Sequence, residues 1–150
     1  MDDINKKILN LLQQNHRYTY KKIGKRLDMA ASSIHNRVKN MEIKGIIKYF
    51  GPIIDPLKSG YLTIAWLGLS VDPMKMKSVA NHLSTYDEVQ TVAITTGDHD
   101  ILAQVIAKND KALWNFINTK IKTIDGVKSR MDISSFIDIY KMTQKINFKI

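Results

Sequence analysis

The sequence predicts an α+β protein in which a helical N-terminal third precedes a β-α-β-β-α-β domain. Apolar residues recur at helical spacing through residues 1–44, whereas β-branched runs alternate with helical stretches from residue 61 onward. Charge divides in the same way. Residues 1–50 hold eleven Lys and Arg against four Asp and Glu, while residues 51–150 hold twelve against ten. A positive field confined to one third predicts a separate domain that binds a polyanion.

The first predicted helix begins after an acidic N-cap, Asp2 or Asp3, and ends near Asn15. Its apolar stripe consists of Ile4, Ile8, Leu11 and Leu12. Because these residues recur at i, i+4, i+7 and i+8, they lie on one face. We expect this helix to support the two that follow it.

The second predicted helix is short and spans Thr19–Leu27. The Thr19 hydroxyl can cap its first turn, and Ile23 lies four residues before Leu27 on the inner face. Gly24 should cost about 1 kcal/mol relative to alanine, which indicates that another helix crosses there at close range. Asp28 tolerates the left-handed conformation and therefore suits a tight turn.

The third predicted helix, Ala31–Lys44, packs one apolar stripe of Ile34, Val38 and Met41 against a small core. Its remaining faces carry polar side chains suited to phosphate oxygens and base edges. Helix, tight turn and a helix with a polar outer face are typical of a helix-turn-helix. The candidate contacts to double-stranded DNA are Ser32, Ser33, His35, Asn36, Arg37, Lys39 and Asn40, together with Lys21 and Lys22 of the preceding helix.

A boundary between two domains is predicted after the third helix. Gly45 suits a helix C-terminus. The pattern of Ile46–Ile54 predicts an extended chain. This chain forms either a wing or, as we favour, a strand that covers the core of a winged-helix-like head. Asp55–Gly60 gathers Pro, Ser and Gly. We therefore assign residues 1–50 to a DNA-binding domain, residues 51–60 to a linker and residues 61–150 to a second domain.

The second domain alternates strands and helices. Strands are predicted at Tyr61–Val71, Val89–Thr96, Ile101–Ala107 and from Val127 to about Tyr140, and helices after the caps Asp72 and Asn109 or Asp110. This order predicts a ferredoxin-like sandwich, with two helices on one face of a four-stranded antiparallel sheet. In the last strand, Met131, Ile133, Ile137 and Ile139 should face the helices.

The sheet face without helices is predicted to be covered by a second copy of the chain. In the first strand, Ala65, Leu67 and Leu69 alternate with Ile64 and Trp66, so both faces are apolar. A homodimer that buries two such faces would also give the head the two-fold symmetry that a palindromic DNA site requires.

The connection Thr96-Gly97-Asp98-His99-Asp100 has two interpretations. On residues alone it is a hairpin turn, because Asp and Gly are turn formers. Alternatively it binds a zwitterion, with backbone N–H groups at Gly97 and Asp98 for the carboxylate. An ammonium would then be accepted by Asp98, Asp100 or Asp132, while Arg130, Ser134 or Thr95 meets the rest of the ligand.

Composition excludes several classes of function. With no cysteine and four scattered histidines, we expect no metal or other cofactor, and Asp98-His99-Asp100 is not favoured as a metal clip because adjacent side chains point apart in extended chain. We find no activated nucleophile and expect no enzyme. No apolar run approaches the roughly 20 residues needed to cross a bilayer, and the acidic start lacks a signal-peptide core, so we expect a cytoplasmic protein without a membrane partner.

The sequence resembles the leucine-responsive regulatory protein/AsnC (Lrp/AsnC, or feast/famine) family of prokaryotic transcription factors over essentially its whole length. The motifs that carry the resemblance are Arg17 before Thr19, the stretch Ile34–Phe50, Thr96-Gly97-Asp98-His99-Asp100 and Gly126-Val127. In that family the loop follows a Thr-Gly-x-x-Asp pattern, and Arg37 matches an arginine of the recognition helix. Three departures are Ala30 for a common serine, Asn5 for a common aspartate and Asp28 for a common glycine.

The resemblance implies a regulator that forms dimers through the βαββαβ domain and assembles further, commonly into octamers. It also implies a free amino acid bound between these domains, near residues 95–100, that shifts assembly or DNA affinity. With the resemblance we favour the ligand interpretation of the loop, and glutamine is our first candidate because Thr and Ser accompany the charges. The alternatives are an effector-independent architectural (chromatin-like) DNA-binding protein and, less favoured, an enzyme of amino-acid metabolism.

Overall fold

The computed structural model describes residues 1–149, which divide into two compact units. The first, which we call the head, comprises Met1–Ile53 together with the segment from Lys141 onward, and the second comprises Ile54–Tyr140. The predicted boundaries instead placed residues 141–150 with the sheet domain. Residues 141–149 belong to the head because side chains of its first helix hydrogen-bond to their backbone. Residue 150 lies outside the described residues.

Three helices build the head: α1 (Asp3–Gln14), α2 (Tyr20–Leu27) and α3 (Ala31–Ile43). The predicted caps of the first two are confirmed, since Asp2 accepts from the backbone N–H of Asn5 and Thr19 from that of Lys22. The helices enclose a core of Ile8, Leu9, Leu12, Ile23, Ile34, Val38 and Met41. This core fixes α3 by its apolar stripe and leaves its polar residues outside.

The turn between α2 and α3 is tight, as predicted, and Asp28 is left-handed with φ 53°. Gly24 is required for a different reason from the one expected. A β-carbon at Gly24 would collide with the backbone oxygen of Met29, which belongs to the turn and not to a crossing helix. At the start of α3, Ala30 offers no side-chain cap.

The segment after α3 forms neither a wing nor a strand. Residues 48–55 form no regular secondary structure, so the predicted strand is wrong. A strand must pair its N–H and C=O groups with a neighbour. Within residues 1–149 the sheet consists of the four strands of the second unit, and none of them pairs with this segment. Tyr49, Ile53 and Ile54 are left exposed.

The second unit has the predicted βαββαβ order. Its elements are β1 (Thr63–Val71), α4 (Met76–Leu83), β2 (Val89–Ile94), β3 (Ile101–Ala107), α5 (Asp110–Phe116), which continues as a π-helical turn over Ile117–Ile121, and β4 (Val127–Ser135). All pairings are antiparallel, in the order β2-β3-β1-β4. The predicted fold class is confirmed.

Strand β4 is shorter than predicted and ends at Ser135, not near Tyr140. Its neighbour β1 begins at Thr63. The last hydrogen bond between the two strands runs from the N–H of Phe136 to the oxygen of Ile64. Beyond that point β4 has no partner. Ile137 is accordingly 96% exposed, so the predicted alternation toward the helices does not continue past the strand.

The two faces of the sheet differ. Ala65, Leu67 and Leu69 of β1 lie in the core with residues of α4, α5 and β3. On the opposite face the register sets Trp66 beside Ser134 and Gly68 beside Asp132. The predicted ligand residues of β4 therefore lie on the face that carries no helix.

Candidate functional site

The polar face of α3 is accessible. Ser32, Ser33, His35, Asn36, Lys39 and Asn40 are exposed, as are Lys21 and Lys22 of α2, while Arg37 is half-buried. No acidic residue occurs between Ser32 and Asn40. This surface offers hydroxyl, amide, imidazole and ammonium groups, which are the chemistry of phosphate and base-edge contacts.

Arg37 bridges α3 and the beginning of α1. Its Nη1 donates to Oδ2 of Asp2 at 2.7 Å and to Oδ1 of Asn5 at 3.0 Å. The hydrogen bond from Arg37 lowers the pKa of Asp2 below its ordinary value, and the backbone N–H of Asn5 lowers it further. In this structure the guanidinium thus braces two helices, a role that the sequence did not suggest.

Aromatic rings of the head organise several of its cations. Lys22 Nζ lies 4.5 Å and Arg26 Cζ 4.7 Å from the centre of the Tyr18 ring. Tyr20 and His35 place their ring centres 5.4 Å apart and so join α2 to α3. Sequence analysis missed Tyr18, Tyr20 and Arg26. Only Lys22 and Arg26 share a helical face by their spacing, because Tyr18 precedes Thr19, the N-cap of α2.

Hydrogen bonds close the connection between β2 and β3. The Thr95 hydroxyl donates to the oxygen of His99 at 2.7 Å, and the Thr95 N–H to the oxygen of Asp100 at 3.0 Å. Oδ2 of Asp100 accepts from the N–H of Val71 at 2.8 Å and ties the loop to the end of β1. Thr95 and Asp100 therefore shape the loop, and Asp100 already has a donor.

His99 turns back onto the open face of the sheet. A β-carbon at Gly68 would lie 2.5 Å from its ring, so any larger residue there would displace the imidazole. His99 Nε2 lies 3.6 Å from Oδ2 of Asp132. The structure thus brings His99 and Asp132 together, and adds Gly68, which sequence analysis missed. A lone glycine inside an apolar strand is a signal for such a close approach.

The remaining predicted ligand residues surround this pair. Thr96, Gly97 and Asp98 are exposed, and Gly97 has φ 116°. Arg130 and Ser134 are also exposed, and strand alternation puts them on the same face as Asp132. The arrangement places backbone donors, an imidazole, carboxylates and a hydroxyl at one rim of the uncovered face.

Among residues 1–149, no three His, Cys, Asp or Glu side chains are grouped so that they could hold a metal ion. Within the same range, no helix combines the length and the apolar character needed to span a membrane.

A helix-turn-helix head joined to a βαββαβ domain defines a DNA-binding regulator with a ligand domain. Residues 1–42 match the AsnC-type helix-turn-helix domain, and residues 64–146 match the Lrp/AsnC ligand binding domain. The chain belongs to the Lrp/AsnC family of transcriptional regulators, which confirms the resemblance.

Individual relatives cover nearly the whole chain. The uncharacterised HTH-type transcriptional regulator PH0140 of Pyrococcus horikoshii is 37% identical over 129 residues, which is 86% of this chain and 82% of that protein. The structure of Escherichia coli AsnC is 27% identical, with a TM-score of 0.87 and coverage of 98% of both chains. NMB0573 of Neisseria meningitidis, solved in complex with L-Met, is 23% identical, with a TM-score of 0.85 and coverage of 97% and 96%, and shares the fold.

Proposed function

We propose that this regulator binds specific double-stranded DNA through α3 and that a free amino acid, bound beside residues 95–100, changes its assembly or its DNA affinity. The observation that carries the proposal is the pairing, in one chain, of an exposed helix face free of acids with a polar rim on an uncovered sheet face. Neither surface contributes to the core of its own unit.

The DNA-binding part rests on the chemistry of α3 and α2. The proposed contacts are Ser32, Ser33, His35, Asn36, Arg37, Lys39, Asn40, Lys21 and Lys22. Their donors suit phosphates and the major-groove edges of bases. Tyr18 holds Lys22 and Arg26 at one side of the head and thereby orders two cations that would otherwise move freely.

The effector part rests on the fit of a zwitterion to the loop. Exposed N–H groups at Gly97 and Asp98 can donate to a carboxylate, and Asp132 can accept from an ammonium. His99 and Ser134 then lie where the ligand side chain would begin, with Thr96 and Arg130 beside them. NMB0573 was solved with L-Met, which supports an amino acid as the class of effector. Glutamine is the first candidate to test.

We infer that the working form is a homodimer, assembled further into an octamer. Trp66 and Leu102 on the face without helices are only half-buried, and Ile53 and Ile54 are exposed. A second copy would remove this apolar surface from water. We place the protein in the cytoplasm and expect it to act by binding alone, without catalysis.

The proposal is tested by DNA binding with and without effector. A duplex selected from a random library should bind about a thousandfold or more tighter than unrelated duplex at physiological salt. At least one amino acid at millimolar concentration should change that affinity. Equal affinity for all duplexes, a steep salt dependence and no response to any amino acid would instead identify an architectural DNA-binding protein.

A further inference from the structure

The segment Lys141–Lys149, which we call the return segment, is held against α1 by two side-chain amides. Asn10 donates to the oxygen of Phe148 at 2.9 Å and accepts from its N–H at 3.3 Å. Gln13 donates to the oxygen of Ile146 at 2.9 Å and accepts from its N–H at 2.8 Å. Each amide therefore satisfies both backbone groups of one residue.

This geometry is a means of recognising the backbone of a segment that belongs to no helix or sheet. Residues 146 and 148 are two apart, so their backbone groups point to the same side and repeat about every 6.6 Å. Residues 10 and 13 are three apart on a helix, so their side chains share a face and lie about 5 Å apart. The spacing of the two side chains on α1 is thus close enough to that of the backbone groups for flexible amides to reach both residues.

Phe148 adds an apolar contact to this hydrogen bonding. Its side chain is half-buried and packs against the core of the head, whereas Ile146 is 60% exposed. The two amides bond only to backbone groups, so they do not distinguish one residue type from another. The aromatic ring fixes the register, because a shift by one residue would turn it away from the core.

The return segment also gives the head a second covalent connection to the effector unit. The first connection is the chain around residues 51–60. The second leaves β4, the strand that carries Asp132 and Ser134, and reaches α1 within about eleven residues. We propose that docking of the return segment on α1 transmits effector occupancy at β4 to the DNA-binding head. This inference rests on the proposed function for the identity of the signal.

Docking is suited to regulation because about half of its hydrogen bonds are open to water. The contacts of Gln13 are exposed to solvent, and such hydrogen bonds contribute little net free energy because water competes for the same groups. Ordering the segment costs chain entropy. A ligand that favours one state even modestly can therefore shift the docked population.

The test uses the full chain with the double substitution Asn10→Ala and Gln13→Ala. Gln14→Ala is the matched control, because Gln14 is an exposed neighbour on the same helix. Hydrogen exchange reports docking directly. The amides of Ile146 and Phe148 should exchange about tenfold or more faster in the double variant, and unchanged in the control. Equal exchange in all three proteins would overturn the docking.

The coupling is tested on the same proteins by DNA affinity. In the double variant the amino acid should still raise the unfolding midpoint. The ratio of the DNA dissociation constants measured with and without the amino acid should, however, be about one. A ratio equal to that of the wild type would overturn the coupling. If no amino acid changes the DNA affinity of the wild type, both the proposed function and this coupling are refuted. The hydrogen-exchange data would still show whether the return segment docks.

Discussion

The guanidinium of Arg37 lies 2.7 Å from the carboxylate of Asp2 and so joins the middle of α3 to the N-terminal cap of α1. Asn5 accepts a second bond from the same nitrogen at 3.0 Å. An arginine that the sequence assigns to DNA is thus also part of the packing of the head. Its two roles are separable by experiment.

We expect Arg37→Ala to weaken binding to the selected duplex by roughly 1 to 3 kcal/mol, the contribution of a bidentate arginine contact to guanine. Effector binding and assembly should stay intact, since we propose that both belong to the other unit. Asp2→Asn is the matched control, because it removes the charge that pairs with Arg37 while it keeps a capping side chain on α1 and the guanidinium itself. If both variants lose the same DNA affinity, Arg37 acts only by joining α1 to α3. If neither loses affinity, Arg37 does not contact the DNA.

The Arg37 and Asp2 pair should also give the head an acid-sensitive component of stability. The pKa of Asp2 is lowered in the folded chain, chiefly by the hydrogen bond from Arg37. The stabilisation is therefore present above the ordinary value of 3.8 and is lost as pH falls through the lower folded pKa. Chemical denaturation should separate wild type from Asp2→Asn at neutral pH. A difference that persists undiminished at the acid end of the transition would contradict the pair.

Gly24→Ala should destabilise the head, although alanine is the better helix former. At an open helical site the exchange would gain about 1 kcal/mol. Here the new methyl meets the Met29 carbonyl, and overpacking typically costs roughly 1 to 3 kcal/mol. Denaturant unfolding measures the sign, with Lys25→Ala, at an exposed site of the same helix, as the control. A stabilised Gly24→Ala variant would show that the Met29 carbonyl lies further from residue 24 than in this structure.

Gly97→Val should abolish the response to the amino acid while DNA binding by the head persists. Gly97 has φ 116° with open space around it, so the cost of a side chain is backbone strain of about 1 to 3 kcal/mol and not a clash. Gly60 has φ 93° and is equally open, and Gly60→Val therefore imposes similar strain outside the loop. Calorimetric titration compares the two variants. A full response in Gly97→Val would place the effector elsewhere.

Local chemistry made much of the fold predictable. Thr19, Asp28 and Asn109 each adopt the cap or turn that their side chains favour, because a few neighbouring backbone groups decide those conformations. The βαββαβ order of elements followed from periodicity and from the positions of caps and turns. These features depend on contacts within a few residues, and the sequence displays them directly.

Features that depend on distant pairings were not predictable. The return segment meets Asn10 and Gln13 across more than 130 positions through side-chain amides, which leave no periodic trace. The end of β4 depends on where β1 begins. For the same reason the hydrogen bond from the Val71 N–H to Oδ2 of Asp100 could not be predicted. Asp100 stays in the candidate ligand set, because a carboxylate can accept several hydrogen bonds.

The most direct test of an amino-acid-responsive regulator is thermal unfolding of the purified protein with each of the twenty amino acids at millimolar concentration, with and without the selected duplex. A ligand at one hundred times its dissociation constant adds about 2.7 kcal/mol of stability per site. We predict that one or a few amino acids raise the midpoint, with glutamine the first candidate. No shift with any of the twenty, in either the absence or the presence of DNA, would contradict the account.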